Sequence, residues 1–105
     1  MNKHQIKAMT ELAAKAVGYE GVWDDAWGAF LIEMERFCVV WEPYLDDGDS
    51  RRLQLDLGLS LEPHSDAMLV YHKQSARWWK ELIAEHSSPA EAARVVVLRA
   101  ASELG

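Results

Sequence analysis

Hydrophobic positions recur along this chain with two periods, and the points where one gives way to the other divide it into elements. Ile6, Met9, Leu12, Ala13, Ala16 and Val17 lie along one stripe of a helix, with Lys3, Lys7, Glu11 and Lys15 on the exposed face. Gly18 can take the left-handed conformation that satisfies a helix's last carbonyls, so a helix is predicted over residues 2–17. The next stretch, YEGVWDDAWG, sets two Trp and two Asp between glycines and reads as an irregular lead into strands. From Ala29 to Glu35, Phe30, Ile32 and Met34 alternate with Leu31, Glu33 and Glu35, and residues 36–42 are again apolar, β-branched and aromatic. Two strands joined near Glu35 and Arg36 satisfy that pattern, as does one long bulged strand.

Beyond Pro43, which should end a strand, two signals compete. Leu53, Leu55, Leu57, Leu59 and Leu61 repeat with the period of a strand, whereas the neighbouring Leu and Arg favour helix. With Asp47 or Asp49 as an N-cap and Gly58 as a stop, the prediction is a short helix over 49–57 followed by a strand at 59–62. A turn at 63–66, a strand at 67–72 and a hairpin connection at 73–75 follow. In ARWWKELIAEH, residues 76–86, the spacing of Trp78, Trp79, Leu82 and Ile83 is helical, but the length between two turns fits a strand, which is the reading preferred for its place in the fold. Ser88 with Glu91 makes a capping box, Pro89 fits the first helical position, and a final helix runs to the terminus with Ala93, Val96, Val97, Ala100 and Leu104 as its buried stripe. The sum is an α+β domain spanning 1–105: a small layered α/β/α sandwich with a mainly antiparallel sheet and N-terminal, central and C-terminal helices.

Composition adds a charge argument. A net charge of −6 disfavours direct binding to nucleic acid, which needs clustered Lys and Arg, and favours a protein partner with a basic surface. No apolar run approaches membrane-spanning length and the first residues lack a signal-peptide core, so the chain is expected to be soluble and cytoplasmic. The single Cys38, in the run Phe37-Cys38-Val39-Val40, is expected to be a buried small hydrophobe.

Candidate chemistry is sparse. Asp46, Asp47 and Asp49 fail the spacing of a calcium loop, because Gly48 stands third from Asp46 and Leu57 stands at the twelfth position; capping and turn formation account for them. His4, His64, His72 and His86 lack zinc-site spacing, although His64, His72 and His86 could serve as acid, base or ligand if they met at one sheet end. No nucleophile elbow or phosphate loop is present, so no catalytic residue, metal or cofactor is expected. Five Trp are many for one small core. Trp78 and Trp79 should point to opposite faces of a strand, so either one of them stands at a subunit or binding interface or both pack beneath covering helices; Trp78 and Trp79 with Asp46, Asp47 and Asp49 are the candidate partner-binding residues, an acidic and aromatic surface. Arg51 and Arg52 either pair with Asp47, Asp56 or Glu62, or line a small-ligand pocket with Trp41 and His64. The Trp content and the alanines of the last helix also point to a homodimer.

Three blocks, ELAAKAVGY at 11–19, Trp41-x-Pro43 with DDGD and Leu53 to Leu59, and AARxxVxxAAxELG from Ala92 to Gly105, resemble the phage ABA sandwich family of small phage and prophage proteins. The resemblance implies helices packed on a small, mainly antiparallel sheet and a phage or prophage origin. It brings no catalytic residues, and the chain departs from the family in having Glu42 where Asn is common and in the Trp-rich 76–86 segment. The expected function is a non-enzymatic accessory protein that binds a host macromolecule, for example one of a nucleic-acid-directed defence system. The alternative is a protein that binds or sequesters a nucleotide signal.

Overall fold

The computed structural model describes residues 1–105. The chain runs α1 (Lys3–Val17), β1 (Gly21–Asp24), β2 (Ala29–Glu33), β3 (Cys38–Trp41), α2 (Asp47–Asp56), β4 (Leu59–Pro63), β5 (Ala67–His72), β6 (Arg77–Leu82), a short 3-10 turn at Ile83–Glu85, and α3 (Pro89–Leu104). The class is α+β, as the periodicities predict. Its antiparallel strands form two separate three-stranded sheets, β1-β2-β3 and β4-β5-β6, so the element order helix, strand, strand, strand occurs twice before α3 closes the chain.

Local chemistry sets the helix ends. Gly18 stops α1 at φ 77°, with its N–H reaching Ala14 and Lys15 carbonyls, and Gly58 at φ 66° turns the chain from α2 into β4. The reciprocal capping box lies at Asn2 and Gln5, where each side chain accepts the other's backbone N–H (2.8 and 2.9 Å). At α3, Ser88 caps as predicted by accepting the Glu91 N–H, but the Glu91 carboxylate reaches Ser87 rather than returning to Ser88. The N-cap of α2 is Asp46, not Asp47 or Asp49; its Oδ2 accepts from the Asp49 N–H at 2.7 Å and the helix starts two residues earlier than the leucine pattern indicates.

Packing centres on α3. Val95 to Leu98, Ala92, Ala100 and Ala101 are all buried, so this helix is covered on nearly every side rather than along one stripe. The helix packs on α1 within the same chain, its Ala92, Ala100 and Ala101 are fully buried, and Gly105 sits against the backbone of Leu12, where a Cβ would collide with the Leu12 carbonyl. The buried face of α1 is rotated from the predicted stripe: Thr10, Ala13 and Ala14 face the core while Leu12 is exposed. Thr10 is admissible there because its hydroxyl donates to the Ile6 carbonyl at 2.6 Å.

The register of each sheet fixes its faces. In the second sheet Leu61, Val70 and Trp79 form one row on the core side, flanked by Leu59 with His72 and by Met68 with Glu81. Residues 77–82 are therefore strand, and adjacent Trp79 and Trp78 do point oppositely: Trp79 is buried and Trp78 is 55% exposed. In the first sheet Trp23, Phe30 and Trp41 form the core-side row, and Val22, Leu31 and Val40 form a row on the opposite face. YEGVWDDAWG is not irregular, since its first half pairs as β1 and its second half is the hairpin turn into β2. The hairpin between β2 and β3 closes at Glu35 and Arg36 through the Met34 N–H to Phe37 carbonyl bond. Cys38 is exposed, contrary to the expectation from its apolar neighbours, because β3 is a sheet edge that no helix covers.

Candidate functional site

A cleft of about 530 Å³ opens where three segments distant in sequence converge: the first two turns of α1, the β1–β2 turn, and the corner from Trp41 to Leu45. Each wall has its own local cause. In the β1–β2 turn, Asp24 accepts the Trp27 N–H on its side chain (2.9 Å) and the Gly28 N–H on its carbonyl (2.8 Å), while Gly28 supplies the φ of 64° that brings the chain back. The corner is pinned from both ends. Asp49 accepts the Glu42 N–H at 2.9 Å, and Arg94 on α3 donates to the Tyr44 carbonyl at 2.8 Å and to Asp47 at 2.7 Å.

Aromatic rings form the floor. Trp41 is held edge-on by Tyr19 and Phe30, with ring centroids 5.2 and 5.9 Å away, and the half-buried Trp23 and Tyr44 flank it. Burial, and then the neighbouring Glu91, push the Tyr44 phenol above its ordinary value, so it remains a neutral hydrogen-bonding group. On one rim stand Lys3, His4 and Lys7, at the positive end of a helix with no acidic residue in its first turn. Asp25 and Glu42 stand on the rim as well. Lys3, Lys7, Asp25 and Glu42 make no ion pair within the chain, so their charges are available to a ligand.

Of the residues chosen from the sequence as ligand- or partner-binding, only Trp41 lies at this cleft, although His4, weighed there among the histidines, stands on its rim. Arg52 pairs with Asp49 at 2.7 Å rather than with Asp47, Asp56 or Glu62, and Arg51 leans on Gln54 within α2. His64 is exposed beside Glu62, His72 bonds Ser75 at 2.7 Å and His86 bonds Glu81 at 2.9 Å, so each of the three histidines is satisfied by its own neighbour. No cluster of three His, Cys, Asp or Glu side chains has the geometry to hold a metal ion. The acidic corner is occupied structurally: Asp46 caps α2, Asp47 pairs with Arg94, and Asp49 serves Arg52 and Glu42. Trp79 donates to Glu103 at 2.8 Å beneath the Arg77 guanidinium, and Trp78 stacks on Tyr71 at 4.6 Å on the open face of the second sheet.

A network not apparent in the sequence joins β6 to α3. The buried Glu81 carboxylate receives Arg99 at 3.0 Å and His86 at 2.9 Å, and His86 Nδ1 lies 3.6 Å from Glu91. Every member has a partner, no buried side-chain polar atom is left unsatisfied, and none of its residues lines the cleft, which makes it a structural clasp. A second hollow of about 620 Å³, between the α2–β4 and β5–β6 turns, has Leu55, Leu57 and Leu104 as its hydrophobic lining and lacks the Trp and Tyr wall of the first. No helix is long and apolar enough to cross a membrane. Comparison with protein families, with curated proteins and with solved structures finds no match to this chain.

Proposed function

We propose that this protein is a non-enzymatic binding protein and that the cleft between α1 and the Trp41–Leu45 corner takes a nucleotide-like ligand, a planar ring carrying an anionic group. The single observation behind this is the pairing of an aromatic floor with two kinds of uncompensated charge on the rim. Trp23 offers a face for the ring to stack on, Asp25 and Glu42 accept from ring amino groups, and Lys3, Lys7 and the α1 terminus attract the anion. The test is a thermal-shift screen of the whole chain against mono-, di- and cyclic nucleotides. A ligand at about 100 times its Kd stabilises the fold by about 2.7 kcal/mol, a shift of several degrees for a domain of this size. The shift is expected to vanish in Lys3→Glu/Lys7→Glu and to persist in Arg51→Ala/Arg52→Ala. No shift across the panel overturns the proposal.

A second reading draws on the outer face of the second sheet. There Trp78, more than half exposed and stacked on Tyr71, has the character of a protein-binding anchor, and the net charge of −6 favours a partner with a basic surface. With the resemblance to phage proteins, this supports an accessory protein that engages a host macromolecule, a defence component among the candidates. Pull-down from bacterial lysates with the native chain and Trp78→Ala checks it; equal recovery of the same partners by both rules out this face.

A further inference from the structure

The two sheets end in four edge strands, and three of these carry features that keep an edge from pairing. β1 contains Asp24, β4 ends in Glu62 and Pro63, and β6 carries Arg77, Lys80 and Glu81. β3, Cys38-Val39-Val40-Trp41, has no charged residue, no proline and no glycine, and its first three residues are exposed. Val39 is 40% and Val40 37% exposed, well above what a covered strand shows.

The backbone of this edge is free in a defined pattern. Met34 N–H to Phe37 carbonyl, 2.9 Å, is the first bond of the β2–β3 ladder. Bonded and non-bonded pairs alternate along an antiparallel ladder, so Val39 and Trp41 turn their N–H and C=O toward Ile32 and Phe30, while Cys38 and Val40 turn theirs outward. None of the turn and loop bonds reaches these outward groups. The next outward residue is already used: the Glu42 N–H donates to Asp49 and its carbonyl accepts from Leu45 and Asp46.

We propose that β3 pairs antiparallel with β3 of a second copy of this chain about a two-fold axis at Val39, joining the first sheets of the two copies into one. In that register Cys38 of each copy opposes Val40 of the other, and each such pair exchanges both backbone hydrogen bonds, using the free groups of the edge and no others. An axis at Val40 would instead set Cys38 against Glu42, whose groups are taken. Charge fits the same register. Arg36 at the hairpin tip comes across from Glu42 of the second copy at both ends of the interface, and neither residue has an ion-pair partner in its own chain. Phe37, 62% exposed, comes opposite Trp41 on the face that carries the aromatic row.

Size-exclusion chromatography with light scattering on the full chain at roughly 100 μM, where a micromolar Kd leaves mostly dimer, is expected to give twice the 11.9 kDa chain mass. Val40→Pro removes an outward N–H and leaves the β2 ladder whole, so it is expected to weaken the dimer about tenfold or more with an unchanged circular dichroism spectrum. Arg36→Glu, at an exposed tip, weakens it too, and Arg36→Glu/Glu42→Arg restores it. The register has its own readout. In a Cys38→Ser background, Val39→Cys sets two thiols directly opposite each other within disulfide reach, and mild oxidation is expected to give a covalent dimer, whereas Val22→Cys in the same background gives none. A monomeric mass at that concentration, or cross-linking at Val39 no faster than at Val22, overturns the proposal. Glu42 is common to the cleft rim and the dimer seam, but Val40→Pro, Val39→Cys and Lys3→Glu/Lys7→Glu all leave it in place, so either proposal can fail alone.

Discussion

The two meanders are built to the same order yet live in different surroundings. The second sheet lies on α3: Met68, Val70 and His72 alternate inward on β5, Trp79 and Glu81 do so on β6, and the outward positions include the polar Ser60, Glu62 and Lys80. The first sheet has α1 beside it and keeps Phe30 and Trp41 buried, but its outer row is Val22, Leu31 and Val40 and three of the four β3 residues are exposed. Burial here is decided by whether a helix covers the strand, not by how apolar the strand is. The covered meander builds the greater part of the core, and the uncovered one leaves a cleft on its core side and a bare edge.

The largest effect expected from this difference is at Trp79. Trp79→Ala removes a buried ring from the Leu61-Val70-Trp79 row together with its bond to Glu103 and its contact with Arg77, and should cost about 3–5 kcal/mol in urea denaturation. Loss of less than about 1 kcal/mol would mean that the second sheet is not the stable half. Next comes Gly21, where β1 crosses so close to β2 that an added Cβ would collide with the Leu31 carbonyl and crowd the Phe30 ring. Gly21→Ala should cost about 1–3 kcal/mol. Hydrogen exchange should show the loss of protection confined to β1 and β2, with β5 amides unchanged, if the two sheets open separately.

How much of this was legible follows from where each signal lies. Gly18, Gly58, Ser88 and Pro89 act through bonds to neighbours in sequence, and the ends they mark are where the chain pattern puts them. Most failures came where a distant element decides the outcome. Cys38 sits in an apolar run, but nothing in that run tells whether a helix will lie over it. Leu12 has helical spacing with Ile6 and Met9, yet α3 approaches α1 from the Thr10-Ala13-Ala14 side. The cleft joins residues near 3, 25 and 43 with no local motif linking them, so Trp41 was the one lining residue that sequence reasoning chose as a ligand contact, and the residues set beside it, Arg51, Arg52 and His64, do not reach the cleft. β1 was missed because Trp, Asp and Gly are common turn or core residues and the strand is only four residues long.

A smaller effect separates α3, the anchor of the second sheet, from its cap. Ser88→Ala leaves the Glu91 N–H without its side-chain acceptor and should cost about 1 kcal/mol. The neighbouring Glu91 gives the pH dependence. Hydrogen bonds from the Ser87 N–H and hydroxyl hold its carboxylate below the ordinary 4.5, so folding favours the ionised form. Stability from this group is therefore fully present above pH 4.5 and is lost as pH falls through the lower folded value. Glu91→Gln should flatten the acid limb of the urea midpoint against pH while leaving the first sheet's exchange rates alone; an unchanged acid limb would show that the Ser87 bonds do not persist in solution.

The smallest expected change is at Trp78, and it sharpens the comparison most because it lies next to the largest. Trp78 stacks on Tyr71 on the side of the second sheet away from α3, so truncating it vacates no core volume. Trp78→Ala should alter stability by no more than about 0.5 kcal/mol. Two neighbouring tryptophans on one strand would then differ several-fold in what they contribute to folding, with alternation of the strand as the cause. An exposed ring that stabilises little is free to act as a binding anchor, and a loss of partner recovery in Trp78→Ala at unchanged urea midpoint would assign that role to it. A cost near that of Trp79→Ala would instead show that the outer face is covered in solution, and the second sheet, not the first, would be the one that meets another chain.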